Sequence, residues 1–357
     1  MQLSGVPQHG QDGAERGAGQ GDADEDALGV PAAEQDADGE PEHEYPPTTR
    51  TPSPPAGPPT PPAPQPRPGL WKRCLRGGLA LWILTAAVTY ATENTTLLPT
   101  LILLDSFLVP AVFALWAYER HGRDLGVPVI LGCFVTGGVL GVLGASVMEY
   151  HLLHPSLWMF LGVGLIEEAV KPLALMFVVR RHPSLRGYRA GLVLGGSVGF
   201  GFAAFESAEY AFNAAVTMDG IDLRSLLETE ILRGVLAPFG HGLWTAIAGA
   251  VLLAFRRPDG RFRFTGPVVG TYLGVAALHA LWDSTHGIAL WLVLRMTTTG
   301  LDRSLFAQGY IPRPTAQQEH LFTLFSVAGL VLVTSVGLVW LRSLARRGSG
   351  PSGIHTP

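Results

Sequence analysis

Cysteine and lysine are nearly absent from the chain: its 357 residues contain two of each. With only Cys74 and Cys133 and no CxxC pair, the sequence holds no disulfide framework and no cysteine metal site, and both thiols are expected reduced and unpaired. Charge is scarce as well. Asp, Glu, Lys and Arg make up 15% of the residues, and the mean hydropathy of +0.27 is high for a soluble protein. The long apolar runs lack period-two alternation, which excludes a closed transmembrane β-barrel. No secretory signal peptide is expected at the start.

The charge that is present is unevenly placed. Residues 1–45 hold twelve acidic residues and one arginine, a balance of −11, whereas the whole chain is −4 and the remainder therefore +7. The first segment is acidic, rich in Gly and Ala and poor in aromatics, so it cannot bury enough apolar area to offset ordering entropy. It is expected to be a disordered tail whose partner, if it has one, is not legible. Residues 46–70 follow as a proline-rich, extended linker. The folded part is expected over 71–345, with a short C-terminal tail at 346–357.

Crossing about 30 Å of hydrocarbon takes roughly 20 apolar residues. Eight runs qualify, at about 75–92, 97–118, 128–148, 157–179, 189–214, 235–255, 267–292 and 321–341. The expected fold is therefore all-α, a polytopic bundle of about eight transmembrane helices. The fifth and seventh runs are long enough to require tilt or a break. Arginine alternates between the connectors: it is dense before the first run, at Arg120 and Arg123, in RRHPSLRGYR and in RRPDGRFRF, and absent from ATENTTLLP and EYHLLHPS. By the positive-inside rule this places both termini in the cytoplasm of a multi-pass protein of the cell membrane. The lipid bilayer is then one partner, and no nucleic acid is expected. The glycines of the third and fifth runs are assigned to close helix packing.

Ionisable residues stand inside these runs. VGLIEEAVKPLAL places Glu167, Glu168 and Lys171 mid-span. Each central charge costs roughly 2.5–3.5 kcal/mol on insertion scales. Lys171 lies three and four residues from the two acids, so one salt bridge forms within the helix and the second carboxylate needs another partner. Such partners occur further on. GFGFAAFESAEYAF carries Glu206 and Glu209, APFGHGLWTAIAG carries His241, and AALHALWDSTHG carries His279 and Asp283 four apart, with His286 beyond. Counted from the predicted outer ends, Glu167, Glu206, His241, His279 and Asp283 fall within a layer roughly 10 Å thick at about 1.5 Å per residue. Four helices aiming carboxylates and imidazoles at one depth make a single site. Asp105, Glu149, His151, His154 and His286 are taken as structural.

In this order and on successive helices, EEAVK, GFAAFESAEY, HGLWTAIAG and HALWD resemble the PrsW family of intramembrane proteases and, more distantly, the CAAX prenyl endopeptidase and bacteriocin-processing superfamily. The resemblance covers about residues 75–341. It departs at Ser207, where asparagine is expected after the glutamate. It implies hydrolysis of peptide bonds in membrane-anchored protein substrates, such as the anti-sigma factors of stress signalling. The family is classed with metallopeptidases, whereas the wider superfamily implies a glutamate-activated water without metal.

The residues suit either chemistry. Glu167 is assigned as the general base, His241 as the group that positions the water, and His279, oriented by Asp283, as the oxyanion donor. Lys171 neutralises Glu168, and Glu206 fixes a histidine or binds substrate, with Glu209 in support. If a metal is present, zinc is the candidate, with His241, His279 and Glu167 as ligands. HExxH spacing is absent, and the metal-free version is placed slightly ahead. The alternative reading is a proton-coupled carrier, since proton relays use the same intramembrane acids. No internal repeat of the carrier type accompanies them. A scaffold with a degenerate site is disfavoured, because every motif keeps its chemically active residue.

Overall fold

The computed structural model describes residues 69–348, apart from 219, 300, 301, 303, 305–307 and 310–312 and the side chains of 122 and 123. The acidic tail, all of the proline-rich linker but its last two residues, and residues 349–357 lie outside the described residues. Each of the eight expected runs is helical. In chain order the α-helices are α1 (Leu70–Thr92), α2 (Leu98–Leu125), α3 (Val127–Thr136), α4 (Val142–Leu152), α5 (Met159–Val179), α6 (Tyr188–Ala215), α7 (Leu223–Leu236), α8 (His241–Ala254), α9 (Gly266–Thr297) and α10 (Ala316–Gly348). A π-turn, Gly137–Gly141, joins α3 to α4, so those two make one crossing segment.

Among the described residues, six segments are long and apolar enough to cross a membrane: α1, α2, α3–α4, α6, α7–α8 and α10. The remaining two, α5 and α9, are those whose apolar runs are diluted by the ionisable residues singled out above. Large apolar side chains such as Ile83 and Leu84 on α1 and Val331 and Leu332 on α10 point outward, as a surface solvated by lipid requires.

Two details refine the expectation. The long fifth and seventh runs, α6 and α9, are continuous helices, which leaves tilt as the way they fit; the interruptions fall in the third and sixth runs. The connector expected near 216–234 is also structured. Strands β1 (Val216–Thr217) and β2 (Gly220–Ile221) pair antiparallel after α6, and α7 follows. Asp222 caps α7 by accepting from Ser225 N–H at 2.9 Å, which satisfies a donor the helix start leaves open. These exposed contacts with Ser225 hold the Asp222 carboxyl below its ordinary range. Pro238 and Gly240 then break the chain before α8.

The arginine-bearing ends meet on one side of the bundle. Glu119 at the end of α2 accepts from the backbone N–H of Gly69 and Trp71 at the start of α1. Arg189, opening α6, pairs with Asp124. The α5–α6 and α8–α9 connectors are tied by Arg256, which is 4% exposed. Its guanidinium donates to the carbonyls of Val179, His182, Leu185 and Gly260 at 2.8–3.0 Å. One of the arginines that marks topology in the sequence therefore closes the end of α5 as well.

Close approach of helices sets the rest. A Cβ on Gly164 of α5 would lie 2.6 Å from the carbonyl of Ala276 on α9, and one on Gly199 of α6 would meet the carbonyl of His241 on α8. These contacts bring the acids of α5 and α6 to the histidines of α8 and α9.

Arg256→Met should lower stability by about 2–4 kcal/mol, because four carbonyls lose a charged donor at a buried connector. Arg256→Lys should recover less than half, since an ammonium cannot serve all four. Thermal unfolding in detergent checks this, and an unchanged midpoint for Arg256→Met would contradict it.

Candidate functional site

The site is built around the ammonium group of Lys171, which is fully buried. On α5, residues three and four apart share a face, so Lys171 Nζ reaches Glu168 Oε1 at 2.6 Å and Glu167 Oε2 at 3.0 Å. It also lies 2.8 Å from His241 Nδ1, across the helix interface, and 4.1 Å from the Phe202 ring centroid on α6. Both carboxylates that the sequence left to be neutralised thus share one cation, and an imidazole joins them.

That contact sets the state of His241. An ammonium only donates, so Nδ1 accepts, and the neutral ring carries its proton on Nε2. Nε2 lies 2.8 Å from Glu206 Oε2, which takes that proton as a hydrogen bond. Glu206 therefore fixes His241 rather than His279. His279, 2% exposed, is held from both sides. Its Nδ1 is 3.2 Å from Glu168 Oε1, its Nε2 is 3.3 Å from Asp283 Oδ2, and the same Nε2 lies 3.9 Å from Glu167 Oε2. Trp244 stacks on the His279 ring with centroids 4.8 Å apart and meets His241 edge-on. Tyr272 on α9 donates to the Leu165 carbonyl at 2.8 Å and fixes the register of α9 against α5.

A cavity of about 550 Å³ opens onto this cluster. Glu167, Glu206 and Asp283 line it, whereas Glu168, Lys171 and His279 are sealed behind them and His241 is partly exposed between Glu206 and Lys171. Apolar side chains including Val142, Phe160, Val163 and Phe202 share the surface with Ser146, Asn213 and further acids, so the cavity has a mixed lining of apolar walls and carboxylates. Glu209 faces this cavity together with Tyr210, rather than an outer connector.

Several lining or supporting residues were not placed in the site by the sequence reading. Glu149 and His286, taken as structural, both line the cavity. Their signal was present: both lie near the outer ends of their runs, as the site layer does. Arg233 was read as part of a connector. It donates to Glu206 Oε2 at 2.8 Å and to Ser207 Oγ at 2.9 Å. The helix that carries it, α7, has a polar composition that conceals it among loop residues.

The donor chemistry fits a metal. Glu167, His241 and His279 each offer a ligand atom, all within 4.8 Å of one another. A His/His/carboxylate set is that of catalytic zinc. Lys171 Nζ contacts two of the same three residues, so a bound ion requires it to withdraw onto Glu168.

Carboxylates and imidazoles gathered at the wall of a cavity inside a multi-pass helical bundle define the class: a membrane-embedded hydrolase. The chain belongs to the PrsW family, whose description, "PrsW family intramembrane metalloprotease", applies over residues 126–308. It is similar to the protease PrsW of Halalkalibacterium halodurans, 26% identical over 53% of this chain and 84% of that one. It is also similar to the protease PrsW of Geobacillus kaustophilus, 28% identical over 47% of this chain and 69% of that one. No solved structure matches the chain. The family's membership and activity set aside the carrier alternative.

Lys171→Met should destabilise the protein by about 3–5 kcal/mol, because two buried carboxylates lose their cation. Adding Glu168→Gln to it should restore part of the loss. Unfolding in denaturing detergent measures both, and a single variant as stable as wild type would show that Lys171 does not hold the cluster together.

Proposed function

We propose that the chain cleaves membrane-anchored protein substrates at this cavity, with Glu167 as the general base. One observation carries the assignment: of the two adjacent glutamates, Glu167 lines the cavity while Glu168 is sealed behind it against Lys171 and His279. An unwound stretch of substrate enters between the apolar walls. Glu167 takes a proton from the attacking water and delivers it to the leaving amine. Lys171, bonded to both glutamates, steadies the Glu167 carboxylate before attack and compensates the charge of Glu168. His241, its Nδ1 on the Lys171 side and its Nε2–H on Glu206, aligns the water. His279 is held by Asp283 at Nε2 and by Glu168 at Nδ1, so it serves the oxyanion through Nε2–H by exchanging Asp283 for the substrate oxygen.

In a metal form Glu167, His241 and His279 would instead be the ligands of a zinc ion, so the base, water-aligning and oxyanion roles above belong to the metal-free form; the metalloprotease description of the family supports the metal form. When bound, zinc supplies Lewis-acid polarisation of the scissile carbonyl and of the water. The site's place in the bundle supports a substrate with a transmembrane anchor; the anti-sigma-factor type rests on the family resemblance alone. The arginine-rich ends are assigned to the cytoplasm, which puts both termini there.

The test is cleavage of membrane-anchored reporter proteins by the purified protein in liposomes. Glu167→Gln should lower the rate by on the order of 10²–10⁴-fold at unchanged membrane insertion. Loss of cleavage with chelator and its return with zinc would establish the metal form, with Glu167 as a ligand. Glu167→Gln cutting at the wild-type rate would remove the base assignment; cleavage indifferent to chelator would establish the metal-free form.

A further inference from the structure

We propose that Arg233 is a positioning residue of the site, acting from α7 through Glu206 on the orientation and tautomer of His241; this rests on the protease reading above. The geometry is a relay of three side chains. Arg233 Nη2 donates to Glu206 Oε2 at 2.8 Å, and the same oxygen faces His241 Nε2 at 2.8 Å. Arg233 is gripped in three ways by a single turn of α6. Its Nε donates to Ser207 Oγ at 2.9 Å, and its guanidinium lies 4.2 Å from the Tyr210 ring centroid. A fork held at Glu206, Ser207 and Tyr210 leaves the Glu206 carboxylate little freedom to swing into the cavity that it lines.

Ser207, the position at which this chain departs from the expected asparagine, thereby acquires a use. Its hydroxyl accepts from Arg233 Nε and keeps the guanidinium edge aimed at Glu206. One turn earlier α7 is anchored as well: Glu230, three residues before Arg233, accepts from Trp82 Nε1 of α1 at 2.9 Å. Arg233 therefore stands on a helix pinned from both sides.

The consequence lies at His241. With Glu206 fixed, Nε2–H has one acceptor in one place and Nδ1 is presented toward Lys171 and Glu167. With Glu206 released, Nε2–H loses its acceptor and the ring can turn away from Lys171; once that second contact is broken the proton can exchange between nitrogens, and the group that aligns the water is lost for part of the time. Residues that orient a ligating or catalytic histidine from outside its immediate contacts typically contribute 10–100-fold in activity or metal affinity.

Two measurements test this. In the liposome assay, Arg233→Met should lower kcat by about 10–100-fold with KM within about two-fold, Arg233→Lys should be intermediate, and Arg233→Met combined with Glu206→Gln should be no slower than Glu206→Gln alone. Independently of any substrate, ¹⁵N NMR of histidine-labelled protein in bicelles, with His241→Gln to assign the ring, should show wild-type His241 protonated at Nε2 alone. In Arg233→Met the two ring nitrogens should move toward a common averaged shift; Arg233→Lys guards against a merely misfolded variant. An Arg233→Met protein with the wild-type His241 tautomer and wild-type kcat, in an assay where Glu167→Gln is inactive, would overturn the role of Arg233 and leave the protease reading standing. Should no reporter be cut by the wild type, the tautomer decides: averaging in Arg233→Met supports the relay, and an unchanged ring removes it.

Discussion

The rest of the site depends on one buried ammonium. Lys171 is one of two lysines in the chain, and it sits at zero exposure between two carboxylates and an imidazole nitrogen. In hydrocarbon none of these groups is tolerable alone, so each is the condition for the others. The ammonium lets two adjacent glutamates coexist on one helix and obliges His241 to accept on Nδ1. That in turn sends the His241 proton to Glu206, and Glu206 needs a cation of its own, which Arg233 provides. The cluster is a chain of obligations set by the low dielectric around it.

Its division of labour follows from where the cavity stops. Glu167 and Glu168 are neighbours of the same chemistry, yet one lines the cavity and the other is sealed. A peptide group entering the cavity meets only the first. The same boundary separates Asp283, which the cavity reaches, from His279, which it does not. A protease in the bilayer has to admit a peptide and water while keeping its charges from lipid, and a buried polar cluster opening onto a chamber of mixed apolar and acidic lining satisfies both demands.

Much of the fold was legible. Eight apolar runs became eight helical segments, because backbone in a bilayer has no other way to satisfy its hydrogen bonds than to coil. The grouping of Glu167, Glu206, His241, His279 and Asp283 at one depth followed from counting residues along helices. What escaped was of two kinds. Arg233 sits on a helix whose surroundings, LRSLLETEILRG, have the composition of a connector, so neither hydropathy nor charge marked it as part of the interior. Glu149 and His286 lie near the ends of their runs, where polar residues commonly face water and raise no question.

By itself the sequence determined where the apolar helices lie, which residues the membrane would penalise, and therefore which must find partners; these follow from composition and from 3.6-residue spacing within single helices. Only the tertiary structure decided who pairs with whom: that Lys171 bridges both glutamates to His241, that Glu206 takes His241 and Asp283 takes His279, and that Glu167 alone of its pair faces the chamber. The reason is physical. Pairing across helices depends on how each helix is rotated and how closely it approaches its neighbour, and that is set by interlocking contacts at Gly164 and Gly199 that no spacing along one helix specifies.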